Sequence, residues 1–145
     1  MSVQAEVLSP TIEVFLNEAA TKTPEIFAKF KQEGSLLVME VMRETVPVRS
    51  GFLRESITRS FSADGFAVYP TARYAEFVEK GTGPHTILPV RAKALRFENV
   101  WGGVVFAKRV EHPGFAGRFF AARTLDAIRY NLVELFKDIM EATLG

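Results

Sequence analysis

Two long amphipathic patterns, one early and one at the C-terminal end, limit what this chain can fold into, because each must bury an apolar stripe on something. In the first, Thr23-Pro24 supplies a cap followed by proline at the opening helical position. Ile26, Phe27, Phe30, Leu37, Val38 and Val41 then continue one face to about Thr45, where Pro47 ends the helix. Gly34 interrupts that helix at a cost of about 1 kcal/mol relative to alanine. In the second, from about Arg118 onward, Leu125, Ile128, Leu132, Leu135, Phe136 and Ile139 lie opposite Asp126, Arg129, Glu134 and Asp138. Ser9-Pro10 repeats the start signal, and Ile12, Phe15, Leu16 and Ala19 predict a short helix inside an N-terminal extension over 1–22.

The residues between the long helices are of the kind that forms strands. Ile57 to Phe61 and Phe66 to Tyr69 are rich in β-branched and aromatic residues and flank Asp64-Gly65, a hairpin signal. Pro47 to Ile57 is a connector leading into the first of these strands. A second hairpin follows, with Ala94 to Glu98 alternating, Asn99 to Gly103 turning and Val104 to Ala107 returning. The expected fold is α+β over a single domain, 1–145, in which the long helices pack on one face of a small antiparallel sheet made from the two hairpins.

Between the hairpins the chain turns a corner. Tyr74, Phe77 and Val78 repeat at helical spacing and predict a short helix that buries them, with Glu76, Glu79 and Lys80 facing outward. Gly81 stands where a helix ends in a left-handed residue, and Pro84 forbids resumption. Gly81, Thr82, Gly83, Pro84, His85, Ile87 and Val90 then form an extended arm that needs a neighbour. Beyond His112-Pro113-Gly114, Phe115 to Phe120 reads as an irregular linker rich in phenylalanine.

Composition closes several routes. The 48% hydrophobic content and mean hydropathy of +0.08 describe a folding chain. No apolar run approaches the roughly 20 residues of a membrane span, and no signal pattern opens the sequence, so a soluble, unexported chain is expected. Zero cysteines remove disulfides, thiol nucleophiles and cysteine-ligated zinc. A net charge of +1 does not mark a general nucleic-acid binder. The charge is nevertheless uneven: Arg91, Lys93, Arg96, Lys108, Arg109, Arg118 and Arg123 meet only Glu98 and Glu111 across 91–123. Thirteen phenylalanines point toward apolar surface that a partner covers.

Four stretches together carry a resemblance. Pro47-Val48-Arg49-Ser50-Gly51-Phe52-Leu53-Arg54-Glu55-Ser56-Ile57, the corner from Tyr74 to His85, Lys93 to Phe97, and Val105 to Gly114 resemble, in order and spacing, the gene-product-ten-like family of tailed-phage neck and tail-completion proteins, which includes minor tail protein Z types. The similarity runs from about Pro24 to Leu144. Lys80, where the family usually has an aromatic, and Arg118, where it usually has a proline, depart from the pattern.

The resemblance implies a virion protein, assembled in the bacterial cytoplasm, that acts at the head-tail junction as a subunit of a homo-oligomeric ring. A hexamer is favoured by the sixfold tail, with a dodecamer as the alternative from portal symmetry. Its implied partners are head-completion or connector proteins and tail terminator or tail-tube proteins, and no membrane. The arm from Gly81 to Val90, together with His112, Phe115 and Phe119, supplies the candidate interface residues, the alternative being that the arm and the Phe115 to Phe120 linker lie flat on the chain's own core.

Catalysis finds little support. His85 and His112, with Glu79 and Glu111 nearby in sequence, could be drawn as a two-histidine, one-carboxylate metal site, but both histidines adjoin prolines in loop corners where imidazoles pack and bond backbone. No nucleophile elbow occurs, and Gly81-Thr82-Gly83-Pro84 lacks the lysine and helix start of a phosphate loop. The expectation is a non-enzymatic protein without cofactor or metal. The alternative is a nucleic-acid-binding module using the basic 91–123 segment. In a neck ring that segment would touch passing duplex DNA through Arg96, Lys108 and Arg109 without reading sequence.

Overall fold

A computed structural model describes residues 3–16, 24–90, 93–98 and 103–144, except for the side chains of Ile87, Phe97, Glu98, Val105 and His112. The predicted Thr23 cap, Arg91 and the turn of the second hairpin lie outside these residues. The chain divides into two compact units, one made of 1–80 with 118–145 and the other of 81–117.

The first unit is built on a four-stranded antiparallel sheet of β1 (Val3–Leu8), β2 (Thr11–Leu16), β3 (Ile57–Phe61) and β4 (Gly65–Pro70), in the order β1-β2-β4-β3. The short helix expected after Ser9-Pro10 is therefore strand β2. Its side chains alternate, with Ile12, Val14 and Leu16 buried and Thr11, Glu13 and Phe15 on the other face, so the governing period is two and Ser9-Pro10 is the turn of a hairpin. The predicted pairing of 57–61 with 66–69 is observed, with Phe61 opposite Phe66.

Helices α1 (Pro24–Thr45) and α4 (Phe120–Leu144) pack on each other and on one face of this sheet, α1 over β3 and β4 and α4 over β1 and β2. The buried stripe of α1 runs through Ile26, Phe30, Val38 and Met42, and that of α4 through Leu125, Ile128, Leu132 and Phe136. Phe30 lies at the centre, its ring 5.5 Å from that of Phe136 and 6.0 Å from that of Phe66. Gly34, expected only as a weak point, is where Phe66 meets the helix: a Cβ added there would lie 3.1 Å from the Phe66 ring. At the sheet's far edge Arg59 donates from Nη1 to Ser35 Oγ (2.9 Å), tying β3 to α1.

The connector from Pro47 contains a one-turn helix, α2 (Phe52–Glu55), which follows Gly51 in the left-handed region (φ 85°). Helix α3 (Ala75–Lys80) ends the first pass through this unit. The α+β expectation thus holds, with a sheet that takes two of its strands from the N-terminal extension.

The second unit consists of three antiparallel ladders of two strands each: β5 (Gly81–Thr82) with β10 (Phe115–Ala116), β6 (His85–Ile87) with β9 (Val110–His112), and β7 (Leu95–Glu98) with β8 (Val104–Ala107). The second predicted hairpin exists, but it stands as its own two-stranded sheet and does not extend the main one. None of the side chains described in 81–117 is buried.

Candidate partner-docking surfaces

Helix α3 keeps Glu76 and Lys80 exposed and Val78 half-buried, as its hydrophobic spacing predicts, but departs from that prediction at Tyr74, Phe77 and Glu79. Tyr74, just before it, and Phe77 are 41% and 56% exposed, while Ala75 is buried and Glu79 is only 2% exposed. The cause lies at the start of α4. Glu79 Oε2 accepts a hydrogen bond from the Ala121 N–H (2.8 Å) and Oε1 accepts one from the Ala122 N–H (3.3 Å). A carboxylate thus satisfies two of the amides a helix N-terminus leaves unpaired, where the helix dipole favours negative charge. Once Glu79 points inward, Tyr74 and Phe77 must face out. The backbone completes the joint: the Arg118 N–H donates to Val78 O (2.8 Å) and the Phe119 N–H to Glu79 O (3.0 Å). Phe119 adopts φ 48°, in the left-handed region that costs a non-glycine residue about 1–2 kcal/mol. The two departures from the family pattern, Lys80 and Arg118, both fall at this joint.

One of the exposed aromatics, Tyr74, borders a groove. Residues Pro47 to Gly51 and Leu53 line it with Tyr74, Val78 and Arg118, enclosing about 440 Å³. Phe52, 57% exposed, lies beside Tyr74 with ring centroids 6.1 Å apart, and Val48 is exposed as well. The 47–57 motif and the 74–85 motif, distant in sequence, are therefore neighbours on one surface.

In the second unit the arm is not free. His85 lies opposite His112 and Thr86 opposite Glu111 in the β6–β9 ladder, and Thr82 lies opposite Phe115. The expected linker from Phe115 accordingly begins as strand β10, and helix α4 starts at Phe120. Gly81 has the predicted left-handed conformation (φ 82°), and a Cβ there would lie 2.5 Å from Gly117 N and from Phe115 O, so this ladder closes only around glycine. Thr82 and Gly81 are half-buried, whereas Gly83, Pro84, His85, Phe115 and Phe119 are exposed, and Val90 is almost fully so. The side chains of Ile87 and His112 lie outside the described residues.

Among the described side chains the drawn metal site does not assemble. Glu79 is committed to α4, while Glu111 accepts from Thr86 Oγ1 (2.9 Å) and pairs with Arg109. His85 Nδ1 lies 3.0 Å from Gly83 O, a bond to backbone. Among the described residues no group of three or more metal-ligating side chains converges. Arg96 and Lys108 are exposed, Arg96 directly opposite Phe106 across β7–β8, while Arg109 is held by Glu111. No helix among the described residues is long and apolar enough to cross a membrane.

The first unit is a small α+β fold that keeps aromatic residues at its surface, a feature of contact sites. The family described as "Bacteriophage HK97-gp10, putative tail-component" matches residues 11–81, and this match supports a likeness of that stretch to the gp10-like phage tail components. The match takes in β2 to β4, α1 and the groove, and it ends where the second unit begins. No curated protein and no solved structure gives a significant match to the chain.

Proposed function

We propose that residues 1–145 act as one subunit of a homo-oligomeric ring at the phage neck, joining the DNA-filled head to the tail through protein contacts alone. The observation that carries this reading is the groove, where Tyr74 is exposed beside Phe52 on the family-matched stretch although the same unit has a well-filled core. Large apolar side chains gathered at one surface mark contact sites, and aromatic residues dominate the energetics of such sites. In this reading a head-completion, tail terminator or tail-tube protein fills the groove. The arm from Gly81 to Val90, with Phe115 and Phe119, faces neighbouring subunits of a hexamer, or of a dodecamer if the ring follows the portal.

The test uses Phe52→Ser combined with Tyr74→Ser. Both side chains are exposed, so the variant keeps its fold by circular dichroism while phage assembly supplied with it yields heads and tails that fail to join. Normal joined particles from a folded double variant would refute the groove as the partner site. Light scattering on the native chain, alone and with connector or tail proteins, reads the ring directly.

A further inference from the structure

The β7–β8 hairpin is a two-stranded sheet of its own. A two-stranded ribbon is marginal in water without a packing partner. One face of this ribbon carries Arg96, Val104 and Phe106, all exposed with Phe106 at 66%, and the register puts position 98, a glutamate, opposite Val104 on that face. The unit carrying it is basic: Arg91, Lys93, Arg96, Lys108 and Arg109 against Glu98 and Glu111 give +3, which leaves −2 for the rest of a chain whose total is +1.

A complementary surface lies on the outer face of the four-stranded sheet, away from the helices. There Glu6 and Glu13 sit directly opposite each other on β1 and β2, a like-charged cross-strand pair that is unfavourable as it stands, and neither makes an ion pair among the described residues. Phe15 lies next along β2, between two shallow hollows. One, about 180 Å³, is lined by Glu13, Phe15, Ser60 and Ala67 among others; the second, about 280 Å³, is lined by Gln4, Ala5, Glu6 and Phe15.

We infer, building on the ring reading above, that the β7–β8 hairpin of one copy packs on the outer sheet face of the next, with Arg96 seated between Glu6 and Glu13 and Phe106 covering the hollow beside Phe15. A closed ring requires a heterologous interface in which two different patches of one chain are complementary, and these two patches are opposite in charge and both partly apolar. A second copy satisfies the hairpin's need for a sheet to rest on and the acidic pair's need for a cation.

Two charge-reversed proteins test this. One carries Arg96→Glu; the other carries Glu6→Lys and Glu13→Lys. Light scattering at moderate salt should show ring formation weakened at least about tenfold in each alone. An equimolar mixture should form rings again, because each reversed surface then meets its complement on the other protein. Circular dichroism establishes that both variants are folded. Rings from either variant alone at native concentration would overturn the inference while leaving the ring reading intact. A mixture that stays dissociated would also overturn it, as expected if the hairpin rests on its own chain. Native rings that withstand Arg96→Glu but lose retention of duplex DNA would assign Arg96 to the channel instead. A native chain that remains monomeric with its tail and connector partners would overturn both readings.

Discussion

Replacing Glu79 tests the joint on which the exposed groove depends. In the native chain its carboxylate accepts two backbone N–H groups of α4 while only 2% of the residue is exposed. Glu79→Ala leaves the buried Ala121 amide without an acceptor, at about 1–3 kcal/mol. It also removes a negative charge from a helix N-terminus, which adds about 0.3–1 kcal/mol and more where the site is buried. The expected loss is about 2–4 kcal/mol. Glu79→Gln keeps the shape and one carbonyl acceptor but loses the charge, so it should cost about half as much. In urea titrations with a slope of about 2 kcal/mol per molar, the midpoint should fall by about 1–2 M for alanine and by about half that for glutamine. Glu76→Ala is the internal control: that exposed residue only pairs with Lys80 at 3.3 Å one turn away, and its loss should stay within about 0.5 kcal/mol. A Glu79→Ala protein as stable as the Glu76→Ala control would refute the capping argument and the orientation of α3 derived from it.

Three further outcomes follow from the same geometry. Phe30→Ala empties the contact between the Phe66 and Phe136 rings and should cost about 3–5 kcal/mol by chemical denaturation. Gly81→Ala places a Cβ against the Gly117 and Phe115 backbone, so hydrogen exchange should show loss of protection across Gly81–Thr82 and Phe115–Ala116 while α1 and α4 remain protected. Arg59→Ala removes the donor to Ser35 Oγ and to Gln32 O and should lower stability by about 1 kcal/mol in thermal melts, through the edge strand β3.

Much of the first unit was legible in the sequence, because α1, α4 and the β3–β4 hairpin carry unbroken periodicity and standard punctuation. Residues 11–16 misled because Ile12, Phe15 and Leu16 fit a helical stripe as readily as Ile12, Val14 and Leu16 fit an alternating one. In six residues the two periods are hard to tell apart, and pairing with β1 and β4 decides between them. Glu79 misled for a different reason. Its partners lie 42 and 43 residues away, so no local pattern could reveal that a carboxylate and not an aromatic stripe would turn inward. The same reversal made the groove invisible from sequence, although both motifs that form it had been singled out.

The second unit leaves the chain at Lys80 and returns at Arg118, and its first and last strands, β5 and β10, are hydrogen-bonded to each other. Such a segment is a cassette whose two ends are already joined. Closing a loop across paired ends costs little more as the loop grows, since the entropy rises only with the logarithm of its length. Residues 83–113 can therefore be shortened, lengthened or exchanged between related chains while the sheet and its two helices keep their packing. One scaffold is in this way fitted to different surroundings by changing a single insert.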